Sequence, residues 1–170
     1  DGDVLLHKKF IEDHLKHAEI GFFVQGPRTL INKSFTKKIL SNNEQIKIFS
    51  RGLKNRKNSL YSNILATLFS SRKNFLNGIK SCNLAFFKSD CINVNGFNND
   101  IEGWGREDSE FVVRLMNNGV NRKNVRFNMI QFHLWHEVSS REALKKNNLL
   151  LEESVEKGLL WCTNGIDQYL

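Results

Sequence analysis

The sequence predicts an α/β domain, a mixed sheet with flanking helices, and three observations carry that prediction. Apolar runs of strand length, at residues 21–25, 81–87 and 125–136, alternate with helical patterns at 10–18, 36–40, 61–69, 107–118 and 140–158. The 170 residues suffice for one domain with a real core, and 40 % apolar with 25 % charged residues is the balance of a globular protein. The single proline and the absence of repeats or low-complexity tracts leave no room for a long disordered linker.

Taken in order, the chain opens on Asp1-Gly2-Asp3 and enters the apolar Val4-Leu5-Leu6. Side chains two apart on an extended segment point the same way, so Asp1 and Asp3 can converge on one ion, and carboxylate oxygens suit Mg²⁺ or Mn²⁺. Taken alone, the same residues read equally well as an Asp-Gly turn at a strand end. The next helix, 10–18, places Phe10, Ile11, His14, Leu15 and Ala18 on its inner face and Lys8, Lys9, Glu12, Asp13 and Lys16 outside. A buried strand at 21–25 is then broken by Gly26-Pro27. Residues 51–58, Arg-Gly-Leu-Lys-Asn-Arg-Lys-Asn, read as a basic solvated loop.

The strand at 81–87 carries Asn83, whose amide suits either a sugar hydroxyl or the local backbone; residues 88–94 follow as a short helix or turn. In the strand at 125–136, alternation puts Val125, Phe127, Met129, Gln131 and His133 on one face and Ile130, Phe132, Leu134 and His136 on the other. Two histidines three apart in a strand point to opposite sides, which disfavours their sharing one ion unless the strand bends at Leu134. The tail is an amphipathic helix over 140–158 with Ser139 or Ser140 as its cap, and a second unit is expected to begin at 139, giving 1–138 and 139–170.

The stretch with the most chemistry is 96–108, Gly-Phe-Asn-Asn-Asp-Ile-Glu-Gly-Trp-Gly-Arg-Glu-Asp, running into Phe111, Val112, Leu115 and Met116. Those four make one apolar helix face, and Gly119 supplies a stop. Glu107 and Asp108 therefore occupy the first turn, where the macrodipole and unpaired N–H groups favour a charged carboxylate. Gly103 and Gly105 let the backbone approach a ligand, and Trp104 offers a ring on which the C–H face of a sugar can rest.

Gly-Trp-Gly-Arg-Glu-Asp preceded by Gly-Phe-Asn resembles the motif of galactosyltransferase-type and chondroitin-polymerase-type enzymes of inverting glycosyltransferase family 2 and its relatives. Asp1-Gly2-Asp3 is similar to the Asp-x-Asp motif of the same GT-A fold, and His133-Leu134-Trp135-His136 stands where such enzymes place a metal-binding histidine. The resemblance implies a GT-A-type nucleotide-diphospho-sugar transferase, of which this chain is the C-terminal portion, with about a hundred residues of nucleotide-binding strands and helices before Asp1. It further implies that Asp108 is the base and Glu107 its neighbour. Trp104, Gly103, Gly105, Asn83 and Arg106 become substrate contacts, and Asp1, Asp3 and His133 the ligands of Mn²⁺ or Mg²⁺, with His136 the second candidate. The partners expected are a nucleotide diphosphate-sugar, a UDP-sugar above all, and a saccharide or glycolipid acceptor. The setting expected is bacterial surface polysaccharide or lipopolysaccharide synthesis in the cytoplasm, at the inner face of the membrane. Where the galactosyltransferases carry an aromatic residue, a small residue and a further acid, this chain has Glu102, Arg106 and Ser109.

The net charge of +7 suits any anionic partner, so a basic nucleic-acid-binding domain is the rival reading. Its basic residues are scattered rather than striped, and no recognition motif is present. Cys82, Cys91 and Cys162 are odd in number and have no C-x-x-C spacing, which points away from a disulfide framework or zinc knuckle and toward a reducing compartment.

Overall fold

Strand pairing divides the apolar runs between two four-stranded mixed sheets. The computed structural model describes residues 2–170, so the expectation that Asp1 helps hold an ion lies outside the described residues. The first sheet has the order β1-β8-β3-β4, with β1 Val4–Leu6, β3 Thr29–Ile31, β4 Leu53–Lys54 and β8 Gln131–His133. The second has the order β5-β7-β2-β6, with β2 Phe22–Gln25, β5 Ser71–Arg72, β6 Leu84–Ala85 and β7 Asn121–Asn124. Each sheet is built round one parallel pair, β3 with β8 and β2 with β7, flanked by antiparallel strands. Six α-helices complete the described residues: α1 Phe10–His17, α2 Lys33–Asn42, α3 Asn63–Phe69, α4 Lys88–Asn93, α5 Glu107–Asn117 and α6 Leu144–Glu156. None is long and apolar enough to cross a membrane.

Helix α5 is the structural keel. Phe111, Val112 and Leu115 are fully buried against Phe23, Val94 and Val120, while Phe97 stacks on Phe111 at 4.3 Å and Phe86 meets it edge-on at 4.9 Å. Each such side chain removed from water is worth about 1.5–3 kcal/mol, enough to fix the helix and hence its first turn. A second cluster, Ile31, Phe35, Ile39 and Leu53, joins β3 and β4 to α2. The capping of α2 and α3 is local: the Asn32 side chain accepts from Phe35 N–H, and Ser62 from Leu65 N–H.

Several expected elements are corrected. Helix α1 is turned: Ile11 and Leu15 are 64 % and 73 % exposed, whereas Asp13 is 1 % exposed. The helix seats on the segment 127–129, and the Asp13 carboxylate accepts from Met129 N–H and Tyr61 O–H, both at 3.0 Å. A backbone donor without a strand partner needs an acceptor, and an aliphatic face offers none.

The single strand expected at 125–136 is two pieces. Phe127 and Met129 have φ of +64° and +55°, and between them the chain passes from β7 in one sheet to β8 in the other. Asn128 braces the crossing, donating to Phe127 O and accepting from the His17 ring. At 81–87 a 3₁₀ turn over Ser81–Asn83 replaces the strand's start. Residues 51–58 are not a plain loop, since β4 pairs with β3 and a 3₁₀ turn covers Arg56–Ser59. The tail helix begins only at Leu144, with Ala143 as N-cap and no side-chain cap from Ser139 or Ser140.

Candidate active site

A cleft of about 1130 Å³ runs between the C-terminal ends of β3 and β8 and the N-terminus of α5. Three groups of residues from distant parts of the chain line it.

The first group stands at the mouth of β8. Val4 pairs with His133, and Leu134 N–H donates to Asp3 O at 2.8 Å, which brings Asp3 beside the histidines. His133 Nε2 lies 3.5 Å and His136 Nε2 3.2 Å from Asp3 Oδ2. Here the opposite-face expectation fails: β8 ends at His133, and Trp135 N–H bonds Thr36 Oγ1, which turns the chain and returns His136 to the same side. His133 Nδ1 faces Leu134 O at 3.0 Å, and His136 Nδ1 faces Glu137 O at 2.7 Å. A carbonyl only accepts, so each Nδ1 carries the hydrogen and each Nε2 presents its lone pair toward Asp3. Burial, foremost, lowers the pKa of His133 and keeps it neutral, as a ligand must be. Asp3 Oδ1 is buried without a partner. The ligand atoms lie within 4.8 Å of one another, and one carboxylate with two imidazoles is a donor set that could hold a divalent metal ion.

The second group is the glycine turn and α5. Gly103 and Gly105 have φ of +68° and +104°, and a Cβ at Gly105 would meet Leu144 at 3.1 Å, so the turn requires glycine for its own shape. Gly105 lines the cleft; Gly103 does not. Asn147 Nδ2 donates to Glu102 O and Gly105 O and ties the turn to α6. Trp104 is 40 % exposed, with the Arg141 guanidinium 5.0 Å above its ring. Arg106, at φ +80°, lines the wall and spends its Nε–H on Asn148 Oδ1.

In the first turn of α5, Asp108 Oδ2 accepts from Ser81 N–H at 3.3 Å, and Oδ1 from the Ser109 hydroxyl at 3.1 Å. Glu107 Oε2 is buried without a partner. The turn that carries Ser81 is held by Gln25, a buried side chain that donates to Lys80 O and Asn83 O and accepts from Lys80 N–H. Nothing in the sequence singled out Gln25 for this part, since a glutamine closing a strand carries no signal of what its amide will hold.

Asn83 is corrected as a sugar contact. It is 2 % exposed, its Nδ2 donates to Pro27 O and Met129 O, and its Oδ1 accepts from His14 Nε2 at 3.0 Å. A Cβ on Gly26 would fall 2.3 Å from this amide, so the glycine and the asparagine form one packed joint. With both N–H donors and one oxygen lone pair spent internally and the side chain buried, the amide is committed to this joint rather than to a ligand.

The third group is cationic. Arg28 and Lys80 lie near each other in the cleft wall, and burial, with Arg28 contributing, lowers the pKa of Lys80. The Arg28 charge also contributes to lowering the pKa of His133, which lines the same cleft.

Residues 65–137 match the family model described as the N-terminal domain of galactosyltransferase. The matched segment contains Trp104, Glu107, Asp108, His133 and His136, and it supports a glycosyltransferase-type domain. No curated protein and no solved structure gives a significant match.

Proposed function

We propose that this chain carries the acceptor- and metal-binding half of a GT-A-type, inverting glycosyltransferase. It moves a hexose or N-acetylhexosamine from a nucleotide diphosphate-sugar, a UDP-sugar foremost, to a saccharide or glycolipid hydroxyl. The observation that carries the reading is the meeting, in one cleft, of Asp3, His133 and His136 with Trp104, Glu107 and Asp108. Residues 139–170 act in this reading as a helical extension that braces the glycine turn through Asn147.

Asp3, His133 and His136 would hold Mn²⁺ or Mg²⁺, which when bound neutralises charge on the departing diphosphate. Arg28 and Lys80 supply further positive charge to the same group. Trp104 supports the acceptor ring, and Glu107 Oε2, which has no donor among the described residues, accepts a substrate hydroxyl. Asp108 takes the proton of the attacking hydroxyl as its oxygen bonds the anomeric carbon. The bond from that carbon to the diphosphate breaks on the opposite side, and the diphosphate leaves with the electron pair. One base and in-line displacement invert the anomeric centre. Bacterial surface polysaccharide or lipopolysaccharide synthesis, at the inner face of the membrane, is the setting we propose.

The test, run on the full-length enzyme, is nucleoside diphosphate release from a panel of UDP-, GDP- and CDP-hexoses with Mn²⁺ and saccharide acceptors. Release from one donor, dependent on both Mn²⁺ and acceptor and abolished by EDTA, is expected. Release indifferent to EDTA, or none from any donor, contradicts the reading.

A further inference from the structure

The cleft holds more positive charge than a donor and its ion require. Among the described residues its lining includes Arg28, Lys33, Lys54, Lys80, Arg106 and Arg141 against the carboxylates Asp3, Glu107 and Asp108. None of the six cations makes an ion pair with any carboxylate of the described residues. A nucleotide diphosphate-sugar and a divalent ion largely cancel each other's charge, so the excess persists once both are bound. Unpaired cations held in one concavity are a standing attraction for an anion.

The six are not equivalent. Arg28 and Lys80 are the pair assigned above to the diphosphate, and Lys54 is exposed on β4. Lys33 rests over the Trp135 ring at 4.2 Å, and Arg106 is bonded to Asn148. Arg141 lies over one face of the Trp104 ring, beside the place proposed for the acceptor, and among the described residues its guanidinium donates to no protein group. A guanidinium over an aromatic face keeps its N–H groups free at the edge. Its planar fork matches the two oxygens of a carboxylate or phosphate.

We infer that the acceptor is an anionic saccharide, whose carboxylate or phosphate is taken by Arg141 while its ring sits at Trp104. This rests on the glycosyltransferase reading above and adds the acceptor's chemical class and the residue that selects it. The acid group answers the excess charge of the cleft, and the fork beside the platform sets which face of the sugar is presented to Asp108.

The experiment is an NMR binding titration of the full chain, with UDP and Mg²⁺, against methyl glucoside, methyl glucuronide and methyl glucoside 6-phosphate. At least one charged glycoside should bind about tenfold or more tightly than the neutral one, the worth of a charge-assisted fork, and added salt should erode the difference. Whichever charged glycoside is preferred tells carboxylate from phosphate. Arg141→Gln, at an exposed position outside any helix, should abolish most of that preference, and Arg141→Lys should restore only part of it. Equal or tighter binding of the neutral glycoside, or a preference that survives Arg141→Gln, overturns the inference and leaves the glycosyltransferase reading standing. Binding of no glycoside at all overturns both.

Discussion

His136 Nε2 stands 3.2 Å from Asp3 Oδ2, on the same side as His133 although the two histidines are three residues apart. The geometry follows from where β8 stops. Had the strand continued through Leu134, His136 would face away. The two rings instead lie with centroids 5.2 Å apart, each fixed by a carbonyl at Nδ1. If these are metal ligands, neither is a spare. His133→Ala and His136→Ala should each weaken Mn²⁺ affinity by at least about tenfold, the scale on which even the groups orienting a ligand matter. Isothermal titration with Mn²⁺ measures this, and a His136→Ala protein with unchanged affinity removes His136 from the site.

Trp104 is exposed on a turn whose shape comes from the glycines beside it and from Asn147, not from burial of the ring. Trp104→Ala should therefore leave a folded protein and raise the acceptor KM by an amount worth about 1–3 kcal/mol, with the donor KM little changed. Steady-state kinetics with far-UV circular dichroism as control decides it. A loss of folded protein would show the ring to be a core element.

The position of Asp108 depends on the rigidity of α5, and one buried ion pair holds that helix to its surroundings. Arg114 bonds both oxygens of Glu110 at 2.8 and 2.7 Å and also donates to Val94 O, while Ser154 of α6 donates to Glu110 at 3.0 Å. Glu110→Ala leaves a buried guanidinium without its counter-charge and should cost about 3–5 kcal/mol. Urea denaturation reads this directly, and a loss near that of an exposed pair would show the site to be hydrated.

Acid should loosen the joint beneath the cleft. Burial, as the leading cause, lowers the pKa of His14 from its ordinary 6.5. The unfolded chain therefore binds the proton more readily, so stability is unaffected above that value and falls as pH drops from it through the folded pKa. Wild type should lose more stability than His14→Gln between about pH 7.5 and about pH 5.5 in urea melts. Equal losses would mean that His14 accepts its proton in the folded state.

How much of this was legible in the sequence differs by element. Helix α5 was readable because four apolar residues at helical spacing meet a glycine stop, and its first turn follows from that. The mixed α/β class followed from the alternation of apolar runs and amphipathic stretches. The orientation of α1 was not readable, because Ile11 and Leu15 look like a core face while Asp13 is drawn inward by backbone N–H groups that exist only after the 127–129 crossing forms. The break between β7 and β8 was hidden too, since Phe127 and Met129 at positive φ are residues that ordinarily mark strands. Glu110 and Arg114 have the i,i+4 spacing of a surface pair, and only packing against Ser154 and Val94 buries them. The cationic lining of the cleft comes from five separate segments, and no local window joins Arg28 to Lys80 or Arg141 to Trp104.

The most direct test is the comparison of kcat for sugar transfer by wild type and by Asp108→Asn, with Mn²⁺ affinity measured on both. Asparagine preserves size and can still accept from Ser81 N–H, but it cannot take a proton from the acceptor hydroxyl. Loss of a general base lowers rates by about 10²–10⁴, so kcat should fall at least that far while Mn²⁺ affinity and thermal stability stay near wild type. Glu107→Gln is the control for its neighbour and should retain far more activity. An Asp108→Asn enzyme keeping more than about a tenth of wild-type kcat, well short of the loss expected of a missing base, would contradict the assignment of the base and with it the proposed chemistry of the cleft.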